Sequence, residues 1–244
     1  MRFTSHLTLP TVVVAAAAAF VPLQSAHAAL VNLCGPMVCY EYDNDAMNNP
    51  GINSFGAPTL LGGSDVLEFT PTTFGLISTG GSVETLSAVF QFTRVYTTNG
   101  GEITSLSVTD SGDYRILNGG SVSDSLRLTS TDLNDDSGLP GFPESVTDLQ
   151  VFSTAAPTPG FSFVNWSLTS SIDPAAAFND VADVVNLQIH NVLDAVTYAA
   201  GQQAIIAKKL VLTTGVAVVP IPAAAWLFGS ALGLLGWGVR RHAA

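Results

Sequence analysis

The sequence predicts an all-β fold: an antiparallel β-sandwich or jelly-roll-like domain, followed by a single C-terminal transmembrane helix. Apolar and polar residues alternate in short runs along the middle of the chain, and this period of two places alternate side chains on opposite faces of a strand. Turns rich in Gly and Asn separate the runs, as is typical of antiparallel sheets. An uninterrupted apolar segment near the C-terminus predicts the membrane-spanning helix.

Residues 1–28 have the pattern of a signal peptide. Arg2 supplies a positive start, residues 12–20 form a short apolar stretch, and Ala26 and Ala28 form an Ala-x-Ala cleavage site. The apolar stretch is too short to cross a hydrocarbon layer of about 30 Å as a helix. We therefore predict export, with cleavage after Ala28.

The two cysteines of the chain, Cys34 and Cys39, follow closely on this site. An even number of neighbouring cysteines in an exported chain indicates a disulfide. A metal-binding pair is the alternative, but His190 is the one histidine between residues 29 and 215, too few partners for a closed zinc site. The sequence predicts a Cys34–Cys39 disulfide.

Residues 29–215 are predicted to form one extracytoplasmic β-sandwich domain. Residues 99–101 and 118–120 both read Asn-Gly-Gly and separate alternating runs, and these residue types accept the positive φ that tight turns require. We find no internal repeat and no composition change that marks a second domain. The clearest alternating runs are 90–93, 105–109, 125–129, 164–168 and 185–190.

The charge of this predicted domain is strongly acidic. It carries all 19 Asp and Glu residues of the chain but only five basic residues. A surface of this sign is repelled by phosphate backbones, which argues against a nucleic-acid partner. Solubility of an exported domain explains the charge most simply.

The residues favour a protein that is not an enzyme. A Ser-His-Asp triad needs a histidine as proton shuttle, and His190 alternates with apolar residues as an outward-facing strand residue does. The cysteines are predicted to be oxidised, and no catalytic residue is assigned. Carboxylate pairs for glycoside hydrolysis are defined by their separation in space, so a secreted hydrolase stays the least favoured alternative.

Two acidic clusters are candidate cation sites: Glu41, Asp43 and Asp45 in the first, and Asp132, Asn134 and Asp136 in the second, which supplies the candidate metal ligands. The D-x-N-x-D pattern opens as an EF-hand calcium loop does. Gly138 then falls at the seventh position rather than the sixth, and Pro143 occupies the twelfth, where a bidentate Glu is required. A solvated turn is the favoured interpretation, an irregular calcium loop is the alternative, and no other cofactor is expected.

Residues 216–239 contain no charged side chain. A helix over 223–239, beginning after Pro222, rises about 26 Å at 1.5 Å per residue, which is just enough to span a bilayer. Trp226 and Trp237 stand near its two ends, where indole rings prefer the membrane interface.

Arg240 and Arg241 follow this segment directly. By the positive-inside rule they stop transfer and stay in the cytoplasm with the rest of the tail, residues 240–244. The chain is therefore expected to be a single-pass inner-membrane precursor with its β-domain outside the cytoplasm.

Val219, Pro220, Ile221, Pro222 and Ala223 form a short motif directly before the apolar segment. The order of this motif, the apolar segment and the arginine pair resembles the bacterial PEP-CTERM protein-sorting signal in its VPLPA variant, with Ile221 where that variant usually has leucine. The resemblance implies recognition and cleavage by an exosortase, a membrane transpeptidase-like enzyme, and delivery to the cell surface or extracellular matrix. It further implies an association with exopolysaccharide or biofilm.

The leading hypothesis is thus a non-enzymatic structural or interaction protein of the cell surface or matrix. The alternative is a carbohydrate-binding module, with or without calcium, which requires aromatic side chains on one exposed face. The candidate aromatic residues for such a face are Tyr40, Tyr42, Tyr96, Tyr114 and Trp166, although the alternation in its strand favours a core position for Trp166.

Overall fold

The computed structural model describes residues 30–71, 74–134, 144–179 and 181–219. The predicted signal peptide, the sorting motif from Pro220 onwards, the predicted spanning helix and the basic tail lie outside these ranges. Within them the elements are β1 (Leu30–Cys34), β2 (Val38–Asp43), α1 (Gly51–Phe55), β3 (Thr59–Leu60), β4 (Leu67–Glu68), β5 (Gly75–Thr79), β6 (Val83–Thr97), β7 (Glu102–Leu117), β8 (Ser121–Asp132), β9 (Ser145–Thr154), β10 (Val164–Ile172), α2 (Pro174–Ala177), β11 (Val184–Val196) and β12 (Gln203–Val219).

The strands form two antiparallel sheets. The first has the order β1-β2-β6-β11-β8-β9, and the second has the order β10-β7-β12-β4-β3, with β5 also paired to β12. Each strand pair is antiparallel. The predicted all-β class is confirmed.

Residues that alternate between apolar and polar in the sequence alternate between buried and exposed in the strands. In β11 every second residue is buried, among them Val185, Leu187 and Ile189, while the residues between them are partly exposed. β8 follows the same pattern, with Leu126 and Leu128 buried. One face of each strand therefore meets the core and the other meets solvent.

Side chains from both sheets fill the core between them. Phe90 and Phe92 of β6 and Tyr40 of β2 are fully buried on the first sheet, and Leu106 and Ile206 belong to the second. The rings of Phe90 and Phe92 lie 4.9 Å apart, and those of Tyr40 and Phe92 lie 5.6 Å apart. Burial of aromatic rings supplies much of the stabilisation of such a core.

Helix α1 packs another ring against this core. Phe55 stacks on Phe74 with 5.3 Å between ring centroids. The helix starts at Gly51, where an added Cβ would lie 2.4 Å from the Val89 carbonyl oxygen. Glycine therefore allows α1 to approach β6 closely enough to bury Phe55.

The predicted disulfide is confirmed and staples the first hairpin. Cys34 and Cys39 are directly opposite each other on β1 and β2, with their Cα atoms 4.1 Å apart and their sulfurs bonded. The same hairpin is held from outside by Asp65, whose Oδ1 accepts hydrogen bonds from the backbone N–H groups of Met37 and Val38, both at 2.9 Å.

The two Asn-Gly-Gly turns carry the chain from one sheet to the other. Residues 99–101 join β6 to β7, and residues 118–120 join β7 to β8, and in each case the two strands belong to different sheets. Asn118 has a φ of 59°, a left-handed conformation that asparagine tolerates better than most residues. The predicted turns are present, and they connect layers instead of closing hairpins.

β12 continues past the predicted domain end at residue 215 to Val219, where it pairs with Glu102 of β7. β-Branched and small apolar residues at 216–219 suit a paired strand. In the part of the chain that the structure describes, no helix is long and apolar enough to cross a membrane. The predicted span at 223–239 lies outside that part.

Candidate functional site

Four polar side chains meet in the core between the two sheets. Asp110 is on β7, Asp124 on β8, Asn191 on β11 and Lys208 on β12. Each occupies a position on the buried face of its strand, where the neighbouring inward positions are mostly apolar. The two aspartates and the asparagine are 0% exposed, and Lys208 is 5% exposed. We call these four residues the core cluster.

The contacts within the core cluster converge on Asp110. Lys208 Nζ contacts Asp110 Oδ2, although this contact does not have the angles of a hydrogen bond. Asn191 Nδ2 donates a hydrogen bond to the same oxygen at 2.7 Å. Asp124 interacts with both Asp110 and Asn191, and in the described part of the chain neither of its oxygens has a hydrogen bond of good geometry.

The strand register brings Lys208 to Asp110. Lys208 pairs with Gly112 of β7, so Asp110 is its diagonal neighbour on the same face, within reach of a long side chain. The register of β12 against β7 shifts directly after Lys208. A Cβ on Gly112 would lie 2.1 Å from the Ala207 carbonyl oxygen, so the close approach of the two strands at this point requires glycine.

Aromatic rings surround the amine. Lys208 Nζ lies 5.1 Å from the ring centroid of Phe55 and 4.9 Å from that of Phe74. The ring faces attract a cation, but they offer no hydrogen-bond acceptor comparable to water. The amine therefore sits in an apolar shell with Asp110 as its polar contact.

Burial favours the uncharged forms of the titratable side chains in the core cluster. It raises the pKa of Asp110, against the opposing effect of the Lys208 charge. Burial, together with the negative charge of Asp110, raises the pKa of Asp124 to about 8. Burial lowers the pKa of the Lys208 amine despite the two nearby carboxyls. A neutral amine beside a protonated carboxyl is a reactive combination, because the amine is then a nucleophile.

Two of the candidate calcium ligands, Asp132 and Asn134, lie in a segment held by hydrogen bonds. Asp132 is buried, and its Oδ1 accepts a hydrogen bond from the backbone N–H of Asn134 at 3.0 Å. The Asn134 side chain donates to Asp183 Oδ1 at 2.9 Å. Asp136 lies outside the described residues. Among the residues that the structure describes, no three or more His, Cys, Asp or Glu side chains are grouped to hold a metal ion.

His190 lies on the outward face of β11, as its alternation predicts. Its Nε2 is 2.9 Å from Ser87 Oγ on the neighbouring strand, and Arg127 of β8 is directly opposite. Burial and the Arg127 charge lower the pKa of His190. A cationic neighbour disfavours the imidazolium that a proton-shuttling histidine forms, so this Ser–His contact is not arranged as in a catalytic triad.

The aromatic candidates do not share an exposed face. Tyr40, Tyr42 and Trp166 are buried, and the core position predicted for Trp166 is confirmed. Tyr96 lies under the Arg94 guanidinium, 5.0 Å from ring centroid to Cζ, and Tyr114 packs against Phe152. The expectation of exposed rings is wrong for Tyr40 and Tyr42, which alternate into the core, whereas Tyr96 and Tyr114 are half-buried.

The core cluster is absent from the candidates that the sequence suggested. The signal in the sequence was a polar residue at a position where the alternation places apolar ones. Asp110 follows Leu106 and Val108 at the same spacing, and Lys208 follows Ala204 and Ile206. Each single exception is common in strands. Only the fold brings four of them together.

No family model matches this chain, and neither does any curated protein or any solved structure. The chemistry of the core cluster is therefore derived from its own geometry.

Proposed function

We propose that this chain is an exported, non-enzymatic structural protein of the cell surface or extracellular matrix, delivered by an exosortase-type enzyme that acts on its C-terminal segment. The observation that carries the proposal is the position of the sorting motif. It starts at Val219, where the described part of β12 ends, so in the sequence the motif follows the β-domain directly. A processing signal for a folded passenger requires this order.

The properties of the β-domain support a structural role. Two antiparallel sheets enclose one core in a β-sandwich arrangement, and the Cys34–Cys39 disulfide suits an oxidising compartment outside the cytoplasm. The most strongly perturbed titratable groups, those of the core cluster, are enclosed between the sheets, where a diffusing substrate has no access. The acidic surface suits a hydrated matrix, and exopolysaccharide is the proposed surrounding.

Carbohydrate binding is the weaker candidate, because it depends on exposed aromatic rings and Tyr40, Tyr42 and Trp166 are in the core. The structural proposal has no such requirement.

The test is a pair of proline substitutions with a matched control. Pro220→Ala with Pro222→Ala is expected to leave full-length, membrane-retained protein in the native host, because the enzyme no longer recognises the motif. Pro157→Ala with Pro159→Ala changes a second Pro-x-Pro sequence, in the loop between β9 and β10, and is expected to leave release unchanged.

The measurements are cell fractionation and the intact mass of the released protein. Equal release and equal mass for the Pro220/Pro222 variant and the unmodified chain would rule out processing at this motif.

A further inference from the structure

We propose that Lys208 and Asp110 react with each other to form an intramolecular amide bond, with Asp124 as the catalytic acid and base. The bond joins Lys208 Nζ to Asp110 Cγ and links β12 covalently to β7. It is a property of the folded β-domain and does not depend on how the protein is delivered.

The first support is the juxtaposition of nucleophile and acceptor. Lys208 Nζ contacts the Asp110 carboxyl, and both side chains are 0% exposed. Among the described residues, neither Lys208 Nζ nor Asp110 Oδ1 has a hydrogen bond of good geometry. Holding two reacting groups in contact within a rigid core is equivalent to effective concentrations of up to about 10⁸ M.

The second support is the third carboxyl. Asp124 comes from the opposite sheet and interacts with Asp110, while its own oxygens have no hydrogen bond of good geometry in the described structure. A buried carboxyl in this position is costly for the fold. It is the other buried carboxyl of the core cluster, so we assign to it the proton given to the departing oxygen and the proton taken from the nitrogen, the two transfers that a general acid and base performs.

The third support is the environment. The rings of Phe55 and Phe74 flank the amine, and burial favours the uncharged amine and the protonated carboxyls. A desolvated lysine is an activated nucleophile. Exclusion of water also protects the product from hydrolysis.

The reaction is a condensation and balances without any co-reactant. The Nζ lone pair attacks Asp110 Cγ, forming the C–N bond and a tetrahedral intermediate. Asp124 protonates the departing hydroxyl group, the C–O bond breaks, and one water molecule leaves. A proton from Nζ returns Asp124 to its starting state. Two ionisable groups in the core are replaced by one neutral amide, which removes the desolvation cost of any buried charge on them.

Asn191 is assigned as a positioning residue. Its Nδ2 donates to Asp110 Oδ2, the oxygen that Lys208 also contacts. A hydrogen bond to this oxygen withdraws electrons from the carboxyl carbon and stabilises the negative charge that develops during attack. Were Asn191 the acceptor instead, the reaction would release ammonia and not water.

The test is the intact mass of the full processed chain, purified and reduced, with its termini read from the terminal peptides. The mass is expected to be lower than the calculated one by one water molecule. Lys209→Arg, a control at the adjacent residue, is expected to show the same loss. Lys208→Met is expected to have the calculated mass. Trypsin is expected to leave the bond after Lys208 uncut and to yield a branched peptide that contains Asp110.

Two isosteric variants keep the test decisive if Lys208→Met does not fold. Asp110→Asn keeps an acceptor carbonyl, so its cross-link is expected to form with loss of ammonia. Asp124→Asn is expected to form the bond at least about 10²-fold more slowly, the usual contribution of a general acid or base, as followed by mass after refolding.

The other outcomes each overturn a defined part of the proposal. A mass equal to the calculated one in the unmodified chain overturns the bond. Loss of ammonia from the unmodified chain overturns Asp110 as the acceptor and assigns Asn191. Loss of water that persists in Lys208→Met assigns the dehydration to another site. An unchanged rate in Asp124→Asn overturns the role of Asp124 as catalyst.

Discussion

Lys208 Nζ lies against the Asp110 carboxyl in the core, with both side chains completely shielded from solvent. A buried contact of this kind is not automatically stabilising, because both groups lose their hydration when the protein folds. Its removal from one side is nevertheless costly, since the remaining carboxyl then has no water and keeps only the hydrogen bond from Asn191 Nδ2.

Lys208→Met is therefore expected to lower the free energy of unfolding by about 3–5 kcal/mol, as measured by urea denaturation. The double variant Lys208→Met with Asp110→Leu is expected to recover part of this loss, because an apolar side chain then replaces the carboxyl that had lost its lysine. Arg127→Met, at an exposed position of β8, is the control and is expected to change stability by less than about 0.5 kcal/mol. An equal effect of Lys208→Met and Arg127→Met would contradict the role of the core cluster in stability.

The protonation of Asp124 predicts how stability depends on pH. Burial and the charge of Asp110 raise its folded-state pKa to about 8, so the folded protein binds this proton more tightly than the unfolded chain does. The contribution to stability is complete below the unfolded pKa, near 4, and is lost as the pH rises toward 8.

Relative to Asp124→Asn, which does not titrate, the unmodified protein is thus expected to lose roughly 1 kcal/mol per pH unit between about pH 5 and pH 8. Lys208 and Asp110 also face this carboxyl, so the two proteins are compared with this pair in the same state, linked or unlinked, as the intact mass shows. Glu84→Gln, at an exposed position of β6, is the control. A stability difference between unmodified protein and Asp124→Asn that is independent of pH would show that Asp124 does not titrate in this way.

Gly112 is the point where β7 and β12 come closest. Gly112→Ala places a Cβ 2.1 Å from the Ala207 carbonyl oxygen, so one strand has to move and the adjacent Lys208–Asp110 contact is disturbed. We expect a loss of at least about 2 kcal/mol in urea denaturation, in the range of overpacked sites. If the amide bond forms, its yield is expected to fall as well.

Gly62→Ala separates the steric effect from backbone preference. Gly62 has a φ of 52° and no atom within 4 Å of an added Cβ, so only the strain of the left-handed conformation, about 1–2 kcal/mol, is expected. Amide formation at Lys208 is expected to be unaffected. A smaller loss for Gly112→Ala than for Gly62→Ala would contradict the close approach of the strands.

The Cys34–Cys39 disulfide closes a very short loop between β1 and β2. Chain-entropy arguments assign about 2 kcal/mol to a loop of this size. Replacing both cysteines by serine is expected to lower the free energy of unfolding by no more than this, and reduction of the unmodified protein is expected to have a similar effect. Global unfolding on reduction would show that the hairpin is essential to the core.

Much of the strand content could be predicted because period-two alternation follows directly from the geometry of a strand. Leu187 and Ile189 are buried, and His190 faces outward, as their spacing required. The disulfide was predictable because the two cysteines are close in sequence and lie in a chain for which export is predicted. The turns at 99–101 and 118–120 were predictable for the same local reason, the backbone preferences of Asn and Gly.

The pairing of the strands was not predictable in this way. β6 pairs with β11, and β7 with β12, so the partners are separated by long stretches of chain. The two Asn-Gly-Gly turns have the residues of hairpin turns, yet they connect different sheets. Local preferences decide that the chain turns there, whereas packing of the whole core decides which strand it then meets.

The sequence by itself determined the alternating runs of β6, β7, β8, β10 and β11 with their buried faces, the disulfide and the acidic character of the domain, because each of these follows from neighbouring residues. Only the tertiary structure decided that Asp110, Asp124, Asn191 and Lys208 share one site. In the sequence each is a single polar residue at a position where the alternation places apolar ones. Four strands from two sheets bring them together. Exclusion of water by the surrounding core favours the uncharged forms of Lys208 and Asp110.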